Sequence, residues 1–555
     1  MKLRRSLLAP LAVVGIAVVT GGWFLQQGVD QNQNVFFQAR LFEEVVDRIA
    51  SDYVEEVEKS TLYPFAIDGL IRGLEDPNSS FLEAEDYENL RIRTQGGYGG
   101  VGLEITEHEG FVTVMSPIPG TPAARAGLRP GDQFIEIAGQ NAEGWDSDRA
   151  VDLLRGETGT SVEVKVRRIG VDQPISFTLT REEIRLKSVP YAIELRDGIA
   201  YAPLQVVRET SSDELRSALD SLGGADLDGI VLDLRRNPGG LLDQGIAVSD
   251  LFLPDDAAIV ETRGRGPRQT EVFKATRDDR YRGVPVVVLV DENSASASEI
   301  IAGALQDHDR AVVVGMPSFG KGSVQTLFRV SGGNVLRLTT ARWYTPVGRS
   351  IDKPHEEREA EDTLAVLLTV EGMPTSPPRL EGRPVVRSRG GRTLYGGGGI
   401  TPDVVVMPDT LTTVERDAVR AIERRAGQLQ NAIFDLAVRI VQERPGLTQD
   451  FTITPADLDR LYASLPAEAR ADVPRARFDE ASRFVRFALE REIALSKWGE
   501  AAEFGRRVPY DRQLQAALDL LGRADSPEEL LRVVDEARAD APTVAQPAAG
   551  RAPGR

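Results

Sequence analysis

The sequence predicts a multidomain protein of the α+β or α/β class with a helical C-terminal extension, and three features carry that prediction. Near-continuous apolar runs read as strands buried on both faces: GIVLDL ending at Leu234, VPVVVLV from Val284 to Val290, and AVVV from Ala311 to Val314. Helical patterns separate them, as expected of an α/β core. A distinct block, from Gln95 to Glu183, alternates short strands with glycine and proline turns. From Thr410 onward the pattern turns helical, with Val419, Ile422, Ala426, Leu429, Ile433, Leu436 and Ile440 spaced by threes and fours.

Composition narrows the function classes. The chain has 555 residues, enough for three or four domains, with 41% hydrophobic and 27% charged residues. A net charge of −19 argues against nucleic acid as a partner. The absence of cysteine excludes disulfides, thiol catalysis and cysteine-ligated zinc.

In chain order, Lys2, Arg4 and Arg5 (segment 1–6) precede an apolar run from Leu7 to Leu25, about one bilayer crossing. No small-x-small cleavage site is evident, so a retained signal-anchor is expected, with a cleaved signal peptide as the alternative. The basic flank stays on the cytoplasmic side, which places the rest outside the cytoplasmic membrane, on its periplasmic or extracytoplasmic side. Segment 26–94 is helical, with Phe37, Leu41, Val45, Ile49 and Tyr53 on one stripe expected to pack within the chain. The block at 95–183 precedes an α/β core at 184–409. An acidic and proline-rich insertion (352–396) interrupts that core and reads as surface loop. In the helical region at 410–540, Thr412-x-x-Glu415 is a capping box and the apolar stripe is expected in an intrachain bundle. The tail at 541–555 is Ala/Pro/Gly-rich and expected to be disordered.

The chemistry concentrates between Val284 and Gln325. A buried strand breaks at Ser294-Ala295-Ser296-Ala297-Ser298 into a helix beginning near Glu299. A helix N-terminus offers unpaired N–H groups and a dipole that favour a developing negative charge. A serine there is suited to be a nucleophile if something takes its proton. His108, His308 and His355 are poor candidates, His308 lying about three helical turns from the serines. Only eight of the 66 basic side chains are lysines, and Lys321 stands between Gly320 and Gly322 after a buried strand. Arginine cannot deprotonate, whereas a desolvated amine can serve as general base to a hydroxyl. Taken singly, these segments read as an N-capped helix and a surface turn. A Pro238-Gly239-Gly240 turn after the GIVLDL strand adds backbone amides that no side chain blocks.

SASASEI followed by FGKGSVQ, with DLRRNPGG upstream, resembles the signature of the C-terminal processing peptidases, or tail-specific proteases. The resemblance implies a crotonase-like layered serine protease core with an inserted PDZ domain. It also implies a Ser296–Lys321 dyad with Gln325 orienting the amine, and an oxyanion hole formed by the Ala297 amide with that of Gly239 or Gly240. The 95–183 block looks like a PDZ domain, with Gly100, Val101, Gly102 and Leu103 as the loop that captures a C-terminal carboxylate. In related proteases this domain can gate the active site, and Arg155 is a candidate gate whose alternative is a solvated side chain. The implied protein is a serine endopeptidase acting through an acyl-enzyme on protein or peptide substrates with accessible C-termini. No metal or nucleotide cofactor is expected. The resemblance also leaves room for an adaptor and for a homo-oligomer. Two other readings are a PDZ peptide-binding scaffold that does not cleave and a trypsin-like His/Asp/Ser protease. The scaffold predicts erosion of the serine or lysine, and both stand. The trypsin-like reading lacks a Gly-Asp-Ser-Gly-Gly-like motif.

Overall fold

The structure, a computed structural model, describes residues 35–108, 110–168, 171–196, 198–266, 269–354, 367–378, 382–423 and 427–540. The segments read above as anchor (7–25) and tail (541–555), and the stretch from His355 through Val366, lie outside the described residues. Among the described residues no helix is long and apolar enough to cross a membrane.

The chain forms two compact units. The smaller holds residues 35–84 with Gln325–Thr339. Its helices, Val35–Asp52 and Lys59–Arg72, meet through the rings of Phe42 and Tyr63. Helical spacing alone assigns the Phe37–Tyr53 stripe to intrachain packing. Instead Phe37, Leu41, Val45, Ile49 and Tyr53 are all exposed, and Val46 is the buried residue of that helix. Two short helices do not supply enough partner surface to cover the stripe.

In the larger unit, residues 103–180 build an antiparallel sheet. Its strand order is Leu103–His108, Phe111–Pro117, Gln133–Ile137, Ser161–Arg167, Ile175–Thr180, leaving Leu103–His108 at an edge. Alternation in Ser161–Arg167 puts Val162, Val164 and Val166 into a core with Phe134, Ile137 and Leu179. Helix α1 (Ser147–Leu154), capped by the Asp146 carboxylate accepting the Arg149 amide, packs against the edge strand.

The central sheet runs in sequence order: β1 (Ile193–Arg196), β2 (Ile199–Pro203), β3 (Gly229–Asp233), β4 (Val286–Val290), β5 (Val312–Gly315), β6 (Val404–Val405). Strands β2 to β6 are parallel and β1 is antiparallel to β2. A parallel sheet must be covered on both faces, which is why its strands are apolar throughout. One face, including Ile230, Leu232, Val286 and Val288, meets helices Ser211–Leu222, Leu242–Asp250 and α2 (Ala297–Asp307).

The helices after Thr410 pack in two places. Helices α3 (Gln428–Glu443) and α4 (Ser482–Trp498) enclose their own core, with Leu429, Ile433, Leu436 and Ile440 against Phe484, Val485 and Leu489. On another side of α3, Asp435 meets His108 of the antiparallel sheet at 3.0 Å. Helix α5 (Glu500–Arg507), α6 (Arg512–Leu521) and α7 (Pro527–Asp540) instead cover the second face of the central sheet. There Phe504, Leu514, Leu518, Leu521 and Val534 pack on Tyr201, Val231, Val287, Leu289 and Val314.

The capping box at Thr412 is present: the Thr412 amide donates to Glu415 at 2.8 Å and the Glu415 amide to Thr412 Oγ1 at 3.3 Å. The Arg483 hydrogen bond holds the Glu415 carboxyl down at about 2, against opposing burial and with help from the Thr412 donors. A depressed carboxylate stabilises the fold fully above its unfolded value near 4.5, and that contribution disappears as pH falls toward 2. Glu415→Gln is therefore expected to flatten the loss of stability between pH 4.5 and about 2. Acid titrations of helical circular dichroism check this, and identical titrations for variant and wild type would refute it.

Candidate active site

Ser296 sits where β4, after a turn, enters α2, at φ 56° and ψ −117°. Positive φ in a non-glycine residue costs on the order of 1–3 kcal/mol and persists only where its surroundings impose it. Here they do. The Ala295 amide donates to the Asn237 carbonyl at 2.9 Å, and Ser298 Oγ donates to the same carbonyl at 2.9 Å. Ser294 Oγ donates to the Leu234 carbonyl at 2.8 Å. The serine triplet is thus divided in role: Ser294 and Ser298 are fully buried and bonded to backbone, while Ser296 is partly exposed.

Glu299, which the sequence reading passed over, is wholly buried and organises the site. Its Oε2 accepts the amides of Ser296 (2.7 Å) and Lys321 (2.9 Å). Its Oε1 accepts the Gly320 amide (2.7 Å) and Ser318 Oγ (2.6 Å). One carboxylate oxygen therefore joins the backbones at Ser296 and Lys321. Burial pushes its carboxyl above the usual range, against the pull of these four donors. The Ser-x-x-Glu spacing of a capping box was the available signal.

Glu299→Ala leaves four donors without an acceptor, two of them fully buried, a loss of several kcal/mol at about 1–3 for each buried one. Glu299→Gln keeps the size but cannot accept at both ends. Both variants are expected to lower Tm and activity together, with Ala the worse. Unchanged melting in Glu299→Ala would remove this role.

The glycines beside Lys321 are required by close packing. A Cβ on Gly320 (φ 84°) would meet Lys353 Cβ at 2.7 Å and the Gly399 amide nitrogen at 3.0 Å. One on Gly322 would meet Asp352. The Lys321 carbonyl accepts the Trp343 indole N–H at 3.0 Å. The lysine is held by its backbone and is half-buried.

The Pro-Gly-Gly turn lies directly against the serine. A Cβ on Gly239 would fall 2.7 Å from Ser296 Cβ and 2.8 Å from the Ala297 nitrogen. Asn237, fully buried, stitches the turn down: its Nδ2 donates to the Leu204 carbonyl (2.6 Å) and its Oδ1 accepts the Gly239 amide (2.8 Å). Of the two amides the sequence left open, that of Gly239 is thus engaged within the loop. The Gly240 amide makes no hydrogen bond among the described residues, and neither does that of Ala297.

The remaining sequence-predicted residues fall elsewhere. Gln325 belongs to the smaller unit, where its Nε2 donates to Thr339 Oγ1 at 3.2 Å. Gly100, Val101, Gly102 and Leu103 lead into the edge strand Leu103–His108. The Val101 carbonyl accepts the Ala123 amide (2.9 Å), and Thr121 Oγ1 donates to the Gly102 carbonyl (3.0 Å). Arg155 is not simply solvated: it lies 5.0 Å over the Tyr98 ring and donates to Asn89 Oδ1 at 3.1 Å. His308 Nε2 bonds the Ala258 carbonyl at 2.7 Å at the far end of α2. His108 pairs with Asp435, and His355 lies outside the described residues. Among the described residues no group of three or more His, Cys, Asp or Glu could hold a metal ion.

Three family models match the chain: Peptidase family S41 over residues 198–358, a PDZ domain over 113–168, and the activating protease CtpB N-terminal domain over 24–86. The carboxy-terminal-processing protease of Bartonella bacilliformis is 40% identical over 345 residues, 61% of this chain and 79% of that protein. The carboxy-terminal processing protease CtpB of Bacillus subtilis is 32% identical, covering 58% and 67%. Among solved structures, the photosystem II D1 C-terminal processing protease is 30% identical, covering 56% and 89%, with a TM-score of 0.33. A serine-type protease carrying a PDZ domain is the class these matches define. Within that class, the chain belongs to the carboxy-terminal processing proteases, peptidase family S41.

Proposed function

We propose that the chain is an endopeptidase in which Ser296 Oγ attacks the scissile carbonyl carbon while Lys321 Nζ takes the serine proton. The tetrahedral oxyanion rests on the amides of Ala297 and Gly240, donors of a kind that contribute a few kcal/mol to the barrier. The lysine then gives its proton to the departing amine, leaving an ester on Ser296. Water, deprotonated by the same amine, hydrolyses that ester and regenerates the serine. The observation that carries this reading is the Glu299 oxygen that accepts the amides of both Ser296 and Lys321.

Substrate tails enter by adding a strand to the Leu103–His108 edge, with the terminal carboxylate in the Gly100–Leu103 loop and α1 forming the other wall. Arg155, through Tyr98 and Asn89, couples that groove to the helix Ala84–Gln95 and serves as the gate. A parallel sheet in sequence order with helices on both faces supports a crotonase-like core. The basic residues and apolar run at 2–25 support an envelope protein with its catalytic domains outside the cytoplasmic membrane.

The test is incubation of the chain from Gln26 with an unstructured polypeptide ending in apolar residues, with and without a metal chelator. Wild type should cleave regardless of chelator, and Ser296→Ala and Lys321→Ala should not. Equal cleavage by all three would refute the dyad. Tail binding without cleavage by any of them would favour a binding scaffold.

A further inference from the structure

We propose that Asp511, 190 positions beyond Lys321, is a positioning residue for the oxyanion loop, so that the last helices set the geometry of the reaction. This rests on the reading of Ser296 as nucleophile and of the Pro-Gly-Gly turn as oxyanion donor.

The loop leaves β3 as Arg235-Arg236-Asn237-Pro238-Gly239-Gly240. Arg235 donates from Nε to Asp233 Oδ1 (2.9 Å), and from Nη1 and Nη2 to the two oxygens of Asp511 (2.8 and 2.7 Å). Such a two-pronged pair fixes direction as well as distance. Gln513 Oε1 accepts a further bond from Nη1 at 3.0 Å, while Gln513 Nε2 donates to the Val406 carbonyl at 2.8 Å. Asp511 is itself the N-cap of α6, accepting the Leu514 amide at 3.0 Å. The guanidinium is therefore tied to the start of a helix whose apolar face, with Leu514, Leu518 and Leu521, lies on the central sheet.

The neighbouring arginine repeats the arrangement. Arg236, at φ 60°, pairs with Glu371, and its amide donates to Asp291 Oδ1 at 2.9 Å. Arg491 of α4 also approaches Glu371, and pairs with Glu503 of α5.

A cavity of about 390 Å³ adjoins the loop, lined by Arg235, Arg236, Arg491, Arg507 and Asp511 among others. On that side the arginine ties hold the loop, and they add to the Asn237 bonds and to the Val207 backbone, whose amide donates to the Gly239 carbonyl at 2.9 Å. The loop's front contacts Ser296 and Ala297 through Gly239. A shift of a few tenths of an ångström behind is therefore felt at the oxyanion donors.

The experiment measures kcat and KM separately for Asp511→Asn, Gln513→Leu, Arg235→Gln and the Asp511→Asn/Arg235→Gln double variant in the full chain. Asp457→Asn, which weakens the half-buried pair with Arg444 in the same helical region, controls for general loosening. Circular dichroism at the assay temperature confirms folding. Asp511→Asn is expected to lower kcat by roughly ten- to a hundredfold with KM within about twofold. Gln513→Leu should do so more mildly. The double variant should be little worse than Arg235→Gln alone, because both remove one connection. Wild-type kcat in Asp511→Asn and Gln513→Leu, or an equal loss in Asp457→Asn, overturns the proposal. Ser296→Ala runs alongside. If it is inactive while Asp511→Asn is normal, only this proposal falls. If Ser296→Ala cleaves, the reading of the site falls and takes this proposal with it.

Discussion

Lys321→Arg is expected to reduce kcat/KM by on the order of a thousandfold or more, although the side chain's length is nearly kept. Arginine carries a permanent proton and cannot accept one from a serine hydroxyl. The fold has little reason to change, because the segment is held through the Lys321 amide to Glu299 and the Lys321 carbonyl to Trp343, neither of which involves the side chain. Tail binding at the PDZ groove should therefore be unaltered while turnover is lost. Peptide-binding titrations beside a cleavage assay separate the two. Retained turnover in Lys321→Arg would show that the proton goes elsewhere.

A chain ending at Tyr510 should fail to fold, whereas one ending at Asp540 should melt and cleave like the full chain. The shorter chain loses α6 and α7 and uncovers Val231, Val287, Leu289, Val312 and Val314 on the central sheet. Five such side chains at about 1.5–3 kcal/mol each amount to on the order of 10 kcal/mol, comparable with the whole stability of a domain. The protein ending at Tyr510 should be insoluble or lack a cooperative transition. A soluble, cooperatively melting product would show that the last helices are an accessory layer.

The strands were legible because burial on both faces leaves an unbroken apolar run rich in β-branched residues, as in Val286–Val290. The serine turn and the glycine-flanked lysine were legible because positive φ and close backbone approach restrict residue type locally. The pairing of distant segments was not. Nothing in a single chain ties Arg235 to Asp511, and helical periodicity does not say whether a stripe meets a helix or a sheet. Hence one helical block was read where α3 and α4 enclose a core and α6 and α7 cover the sheet. The stripe at Phe37–Tyr53 failed for the same reason, since periodicity specifies a face and not its partner. Glu299 was hidden by its ordinary position, as a glutamate in a first helical turn usually reads as a cap or dipole partner.

The central claim is that Ser296 is the nucleophile and that Lys321 activates it. A peptidyl diphenyl phosphonate built on a cleaved tail tests this most directly, with the modified residue located by tandem mass spectrometry. The expected result is a single phosphonyl adduct on Ser296, absent in Ser296→Ala and formed far more slowly in Lys321→Ala. An adduct on Ser294 or Ser298, an undiminished rate in Lys321→Ala, or no adduct from an enzyme that cleaves the matching peptide would contradict it.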